Sequence, residues 1–511
     1  MATPHVQVFS TLNELSDHTH DFDAVILVGP HFSGLDSRID EALKSATKVH
    51  ENITRTGGVI ACELVASGRL ILAPTGSLDR DYDDVRRFYD AARKAADVAE
   101  QSGARKPVLM AVNVPQDATF ENALALVYFG FSQGLYQPLE AREHFGEGLE
   151  PIQQVGLIGE VDGKWLHAVE EGRRVARDLC GTEPERMSPL RFAEYCQSAF
   201  AGTAVKVTVL DDRPQLEVEY PLLSAVARAS FETNQRPCVI RLEYTPEGPV
   251  EQTLMLVGKG ITYDTGGADL KVGGHMAGMS RDKGGAAGVA GFVKALAHIQ
   301  PKGIKVVAEL AAVRNNIGET AFVADEIITG RSGVRVRIGN TDAEGRLIMA
   351  DCLARMTELA VDEKEPVLFT VATLTGHAAL AKGPYTALVP NKTAERSGSV
   401  DALLSAGELW GDPAELSPSR REDYDFVAGR TKADDLLSSN NGPSATTKRG
   451  HQFPMAFLVR VAGLDKHQFS SETPIPYVHI DIAGSGVEGG DWQHGKPTAT
   501  PVLALSGRYL R

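Results

Sequence analysis

The sequence predicts an α/β protein of two domains, a smaller N-terminal one and a larger C-terminal one with a mixed, largely parallel central sheet flanked by helices. Three observations predict this. Its 511 residues exceed what one hydrophobic core usually organises. Short apolar runs alternate with amphipathic helical patterns along the chain, which is the rhythm of βαβ units. Beyond residue 190 most apolar runs are continuous, as expected of strands covered on both faces. The apolar share of 43% and charged share of 23% fit a globular chain and exclude a disordered or fibrous one.

In chain order, the first strands are expected at Val6–Phe9, Ala24–Val28, Leu70–Ala73, Val108–Val112 and Val155–Ile158, with a helix over Asp84–Ala99 where apolar and charged residues segregate at 3.6 spacing. No Gly-rich phosphate fingerprint and no ligand cluster lies here, so residues 1–160 are assigned a supporting or assembly role. Trp165–Leu179 reads as one helix and the turn-rich Thr182–Pro189 follows, which places a linker over 161–182 and a second domain over 183–511. Its strands are expected at Val205–Leu210, Cys238–Tyr244, Thr253–Val257, Val306–Val313, Val334–Ile338, Val367–Leu374 and Val478–Ile482. Ser438–Gly450 is the most loop-like segment.

The 52 Lys+Arg against 67 Asp+Glu leave a formal charge of −15, which disfavours binding to a phosphate backbone. No run approaches the ~18 apolar residues of a membrane span. The first basic residue is Arg38, so the start matches neither a secretory signal nor a transit peptide. Five scattered cysteines without C-x-x-C spacing read as reduced thiols, and the expected location is the cytoplasm. The sequons at Asn52 and Asn391 are then chance matches.

Chemistry concentrates in two places. Residues 258–291 carry 11 of the 50 glycines, interleaved with Lys259, Asp264, Asp269, Lys271, Arg281, Asp282 and Lys283. Glycine permits sharp turns and close approach, and charges threaded through a loop after a buried strand sit where open α/β sheets bind ligands. The bland alternative is a solvated Gly-rich turn. The second place is Asn340-Thr-Asp-Ala-Glu-Gly-Arg346, again after an apolar strand. In extended backbone Asp342 and Glu344 would project to one side, and two like charges so placed call for a cation or a proton. The alternative is an N-cap Asp and a first-turn Glu opening a helix over Arg346–Leu359.

Val257-Gly-Lys-Gly-Ile-Thr-Tyr-Asp-Thr-Gly-Gly267, Arg281-Asp-Lys-Gly-Gly-Ala-Ala287 and Asn340-Thr-Asp-Ala-Glu-Gly-Arg-Leu347 resemble the signature of the leucyl aminopeptidases. The resemblance extends through Ala372-Thr-Leu-Thr-Gly376 and His479-Ile-Asp-Ile-Ala-Gly484, and so covers most of residues 165–511. It implies a cytosolic metallo-aminopeptidase with two divalent ions per chain, assembled as a homohexamer and acting on peptides with a free N-terminus. It makes Lys259, Asp264, Asp282, Asp342 and Glu344 the metal ligands, with Asp264 and Glu344 bridging. Lys271 and Arg346 become the catalytic pair, Lys271 stabilising the oxyanion formed when a two-metal-activated hydroxide attacks, and Arg346 holding a bicarbonate general base. Met279 would floor the pocket for the first side chain, and Thr373, Leu374 and Gly376 would contact the peptide backbone.

The implied roles make physical demands. Lys259 must bind as the neutral amine, its pKa depressed by burial and the cations, while Lys271 stays charged. A ligand set of carboxylates and one lysine, with no His or Cys, leaves Zn²⁺ and Mn²⁺ both open. Lys283 stands where the family commonly has Met, and Tyr263 and Thr265 replace the common Phe and Ser, which resembles a divergent subgroup. The Lys283 charge is expected either to alter metal affinity or substrate preference, or to face solvent or a neighbouring subunit.

The rival function is a scaffold or binding protein that lost activity, which should show broken ligands; all five, with Lys271 and Arg346, are intact. Gly484-Ser-Gly-Val-Glu-Gly489 matches G-x-G-x-x-G, but Gly490–Pro497 reads as no helix, so a dinucleotide site lacks its helix N-terminus. His479, inside an apolar strand, is expected to be a satisfied core residue.

Overall fold

Apolar runs buried on both faces build the sheets. The computed structural model describes residues 3–18, 20–489 and 492–511. It divides into two units, Met1–Glu171 with Gly407–Asp412, and Gly172–Ala406 with Pro413–Arg511, and the division falls inside helix Gly163–Gly181. Gly490 and Asp491, part of the stretch expected to be non-helical, lie outside the described residues; Gly484–Gly489 carries only the short strand Val487–Glu488.

The first unit holds strands β1 (His5–Phe9), β2 (Ala24–Gly29), β3 (Gly58–Ala61), β4 (Arg69–Pro74), β5 (Pro107–Ala111) and β6 (Gln154–Ile158) in the order β1-β6-β5-β2-β4-β3. All neighbours are parallel except β3 and β4. Every residue of β2 is buried, as parallel pairing with helices on both faces requires. The antiparallel edge strand β3 has a short apolar run, Val59–Ala61, of which only Ile60 is buried.

The second unit holds β7 (Lys206–Leu210), β8 (Cys238–Tyr244), β9 (Gln252–Asp264), β10 (Ile304–Asn315), β11 (Ile327–Thr329), β12 (Arg335–Arg337), β13 (Pro366–Ala372), β14 (Thr386–Pro390), β15 (Ala414–Leu416), β16 (Leu436–Leu437) and β17 (Tyr477–Asp481). Its main sheet runs β15-β14-β17-β13-β9-β10-β8-β7, and β11-β12-β16 form a small sheet. The central set β17-β13-β9-β10 is parallel, flanked by antiparallel neighbours on each side. The mixed, largely parallel sheet therefore matches the expectation.

One expectation needs correction. The strand expected to end at Val257 continues to Asp264, so Lys259 and Asp264 stand on β9 and not in a loop. Pairing with β10 on one edge continues to Asp264, opposite Asn315, through a bulge between Val313 and Arg314. Helix Gly284–Ile299 lies so close that a Cβ on Gly285 would sit 2.0 Å from the Val371 carbonyl oxygen. Glycine here serves close packing inside regular elements.

Helix Glu344–Ala360 is fixed from its polar face. Buried Asp351 accepts the backbone N–H groups of Leu222 at 2.7 Å and Arg331 at 2.8 Å. Arg355 reaches Glu309 on β10 at 2.9 Å, and the fully buried Glu309 also takes Arg241 at 2.9 Å and the Tyr220 hydroxyl at 2.7 Å. Breaking a fully buried ion pair costs about 3–5 kcal/mol, and Arg241 and Arg355 are only partly buried, so the loss of Glu309 falls below that range. Glu309→Ala should therefore destabilise the second unit, seen as a urea midpoint at lower concentration, while Glu41→Ala, an exposed change in the first unit, leaves that midpoint in place.

Candidate metal centre

The site lies at the carboxyl ends of the parallel strands, where open α/β sheets bind ligands. β9 delivers Lys259 and Asp264, helix Glu344–Ala360 begins with Glu344, and Asp342 lies in the turn before it. Asp342 and Glu344 therefore converge because a helix starts between them, and extended backbone does not align them. Asp282 follows the short 3₁₀ turn Met279–Arg281 and precedes helix Gly284–Ile299.

Carboxylate oxygens of Asp264, Asp342 and Glu344 lie within 4.8 Å of one another. Lys259 Nζ is 2.9 Å from Asp282 Oδ2 and 2.9 Å from Glu344 Oε1, and donates to the Thr373 carbonyl at 3.2 Å. Lys271 Nζ is 3.0 Å from Asp264 Oδ2 and also contacts Asp342 Oδ1. All five expected ligands and Lys271 thus share one cluster. Lys259, Asp264, Asp282 and Glu344 are each at most 5% exposed.

Four carboxylates against two ammonium groups leave negative charge without a partner. Burial, then mutual repulsion, pushes Asp342 up to about 7, raises Glu344, and drives Asp282 well above the usual carboxylate range. Glu344 Oε2 is buried without a hydrogen-bond partner among the described residues. Hard oxygen donors, an orphaned buried oxygen and surplus negative charge fit divalent cations. Burial works against the charge of Lys259, but Asp282 and Glu344 outweigh it and hold the ammonium above the ordinary lysine value. The depressed Lys259 pKa expected above is thus not a property of these side chains; only competing cations would supply it. Lys271 is likewise raised by Asp264 and Asp342 against the opposing effect of burial, in line with a lysine that stays charged.

Neighbouring groups hold these side chains in place. Asn315 Nδ2, at the end of β10, donates to Asp264 Oδ1 at 2.8 Å, and Thr373 Oγ1 donates to Asp282 Oδ1 at 2.7 Å. Asp269 Oδ2 accepts the Thr341 N–H at 2.7 Å, tying the turn that carries Lys271 to the turn that carries Asp342. A Cβ on Gly345 would lie 2.5 Å from Lys259 Cε, so only glycine lets the helix start pack on that side chain.

Arg346 is 3% exposed. Its Nη1 donates to the Ser438 carbonyl at 2.9 Å, its guanidinium lies 5.0 Å from the Phe453 ring centre, and its Nε has no hydrogen-bond partner among the described residues. Burial pushes its pKa down to about 10 against the opposing charges of Glu344 and Asp481.

Thr373, Leu374 and Gly376 follow β13 toward the same edge. The Leu374 N–H donates to Asp481 Oδ1 at 3.2 Å and the Gly376 N–H to Ser444 Oγ at 3.2 Å, so two of the backbone donors expected to meet a peptide already have partners. Met279 is half-buried in the turn before Asp282. Lys283 faces neither solvent nor a neighbouring subunit: it is fully buried and donates to the carbonyls of Thr182, at 2.8 Å, and Ser280. His479 is buried and bonds Thr370 Oγ1 through Nδ1 at 2.8 Å, but its Nε2 has no partner among the described residues, so it is only half satisfied.

Thr341, Asp269 and Asp481 lie inside stretches that the sequence marks, yet their supporting contacts have no signature there; Asn315 stands at the polar end of a long apolar run, the one signal it offers.

The model of the cytosol aminopeptidase family, catalytic domain, matches residues 174–506. A Caenorhabditis elegans relative named for aminopeptidase activity, W07G4.4, is 42% identical over 501 residues, 95% of each chain. The apo leucyl aminopeptidase of Trypanosoma cruzi has the same fold, with a TM-score of 0.82 at 21% identity over 100% of this chain and 97% of that one. The bottromycin maturation enzyme BotP, solved in complex with Mn, follows at a TM-score of 0.73 and 22% identity, over 95% of this chain and 98% of that one. The chain belongs to the cytosol aminopeptidase family, the metal-dependent peptide hydrolases also known as leucyl aminopeptidases.

Proposed function

We propose that this enzyme releases the N-terminal residue from peptides by holding two divalent ions on Lys259, Asp264, Asp282, Asp342 and Glu344, with Asp264 and Glu344 shared between them. The observation that carries this is the buried carboxylate cluster with its surplus negative charge and the orphaned Glu344 Oε2. Zn²⁺ and Mn²⁺ both suit these donors, and the Mn-bound BotP supports the second. When bound, such a pair of ions activates water, polarises the scissile carbonyl and binds the free amine.

The chain's own residues supply the rest. Lys271, kept charged by Asp264 and Asp342, is available to stabilise negative charge on the scissile carbonyl oxygen. Arg346, buried with a free Nε, is suited to hold a bicarbonate that serves as general base. Thr373 and Asn315 orient Asp282 and Asp264, the kind of outer support that metal ligands need. Asp481 fixes the bend of the Thr373–Gly376 segment through Leu374 N and Thr375 Oγ1, leaving backbone carbonyls to meet the peptide, and Met279 borders the pocket for the first side chain. Residues 183–511 would hold the catalytic machinery, 161–182 the linking helix, and 1–160 the assembly function of a cytoplasmic homohexamer. Among the described residues no helix is long and apolar enough to cross a membrane.

Hydrolysis of a panel of aminoacyl amides should vanish on chelation and return with Zn²⁺ or Mn²⁺; activity that survives complete removal of metal would overturn the reading. In the same assay Glu344→Ala should bind fewer than two ions per chain by elemental analysis, and a variant retaining two would refute the shared-ligand assignment. Lys271→Ala should lower kcat by about 10²–10³-fold with metal content preserved, whereas an effect on KM alone would remove it from the reacting atoms. Gly345→Ala should keep its far-UV circular dichroism yet lose about 10²-fold in rate, because the new methyl displaces Lys259; wild-type activity would show that the ligand has room to move.

A further inference from the structure

Beside the carboxylate cluster two histidines face each other from segments far apart in the chain. His377 Nδ1 and His451 Nδ1 are 2.7 Å apart, with ring centres separated by 4.9 Å. His451 is buried and its Nε2 lies 2.8 Å from Ser417 Oγ. An N–H···N bond requires one ring to carry a proton on Nδ1 and the other to be bare. Burial lowers both, His451 to about 4, and the cations facing them, Lys382 and Arg449, act the same way on His451 as Arg449 does on His377. Near neutral pH the contact is therefore attractive.

The pair joins two functional stretches. His377 is the second residue of helix Gly376–Lys382, immediately after the Thr373–Gly376 segment. His451 closes the irregular Ser438–Gly450 segment, whose first carbonyl holds Arg346 and whose Ser444 Oγ accepts the Gly376 N–H. The fit is close, since a Cβ on Gly450 would lie 2.8 Å from His377 Cβ. Thr373 is bonded to the ligand Asp282, and Gly376 stands three residues further along. An aminopeptidase substrate has one residue before the scissile bond, so a peptide following this segment away from the ligands places its remaining residues by Gly376 and Ser444.

We propose that His377 and His451 are positioning residues: their paired rings seat the Ser438–Gly450 segment on Gly376, and the seated segment sets how tightly the enzyme holds the part of a peptide beyond the scissile bond. This rests on the function proposed above.

The test combines amide hydrogen exchange over residues 439–449 with kinetics on a tripeptide and on the aminoacyl amide of the same first residue. In the metal-loaded enzyme His377→Ala should speed exchange across the segment and raise KM for the tripeptide roughly tenfold, the scale of one lost hydrogen bond, with the amide's KM unchanged. His377→Asn, which keeps a polar atom near the Nδ1 position, should fall between. His451→Ala should match His377→Ala. Unchanged exchange in both alanine variants, or equal changes in KM for tripeptide and amide, would overturn the proposal. A wild-type enzyme that hydrolyses neither substrate would instead overturn the proposed function, and exchange would still decide whether the pair seats the segment.

Discussion

The second unit is organised around a repulsion. Three carboxylates within 4.8 Å of one another, at an effective dielectric of about 20, oppose each other by roughly 3 kcal/mol per pair when ionised, and a fourth lies across Lys259 from them. Such a cluster relaxes apart unless its backbone cannot move, or it takes up protons in place of cations. The raised carboxyl pKa values express the second route, and the surrounding architecture blocks the first. Lys259 and Lys271 answer part of the charge, each bridging two of the acids, Lys259 from within β9.

That rigidity comes from elements remote from the chemistry. β9 is hydrogen-bonded by parallel β13 as far as Gly258 and by parallel β10 to its end, so Lys259 and Asp264 are carried on the continuation of a central strand that β10 alone holds along one edge. The helix that presents Glu344 places an acid in its first turn, where the helix dipole favours negative charge, and Asp351 and Arg355 further along hold it against β10 and its neighbours. Close glycine contacts at Gly285 and Gly345 remove the slack that a side chain would introduce. Sites built on strands and helix starts keep their geometry better than sites on loops.

This explains what the sequence made legible. Lys259, Asp264, Asp282, Asp342 and Glu344 fall in three short stretches, and each stretch keeps its spacing because it spans a strand end or a helix start. Their backbone context was harder to read. Glycine and charge after Val257 resemble a loop, yet pairing with β10 along one edge turns the same residues into strand; the Asp342–Glu344 pair looks extended, yet a helix begins between them. The short strands β3, β14, β15 and β16 carry apolar runs too short to separate a strand from a buried helical turn, and pairing alone defines them. Asn315, Thr373 and Asp481 act through partners between 51 and 107 positions away, a separation at which one sequence gives no signal.

Lys283 illustrates how position in the chain misleads about position in space. It is adjacent to the ligand Asp282 and carries a full charge, so sequence proximity suggests an effect on the ions. At the start of helix Gly284–Ile299 successive side chains diverge sharply, and Asp282 turns toward Lys259 and Thr373 while Lys283 turns toward Thr182 and Ser280. Thr182 follows the last residue of helix Gly163–Gly181, so the ammonium lies where carbonyl groups lack helical partners and the dipole is negative. A buried lysine is tolerated there because carbonyl oxygens take its protons. The charge thus fastens the turn that presents Asp282 to the end of a neighbouring helix, and it adds to the rigidity that the carboxylate cluster demands.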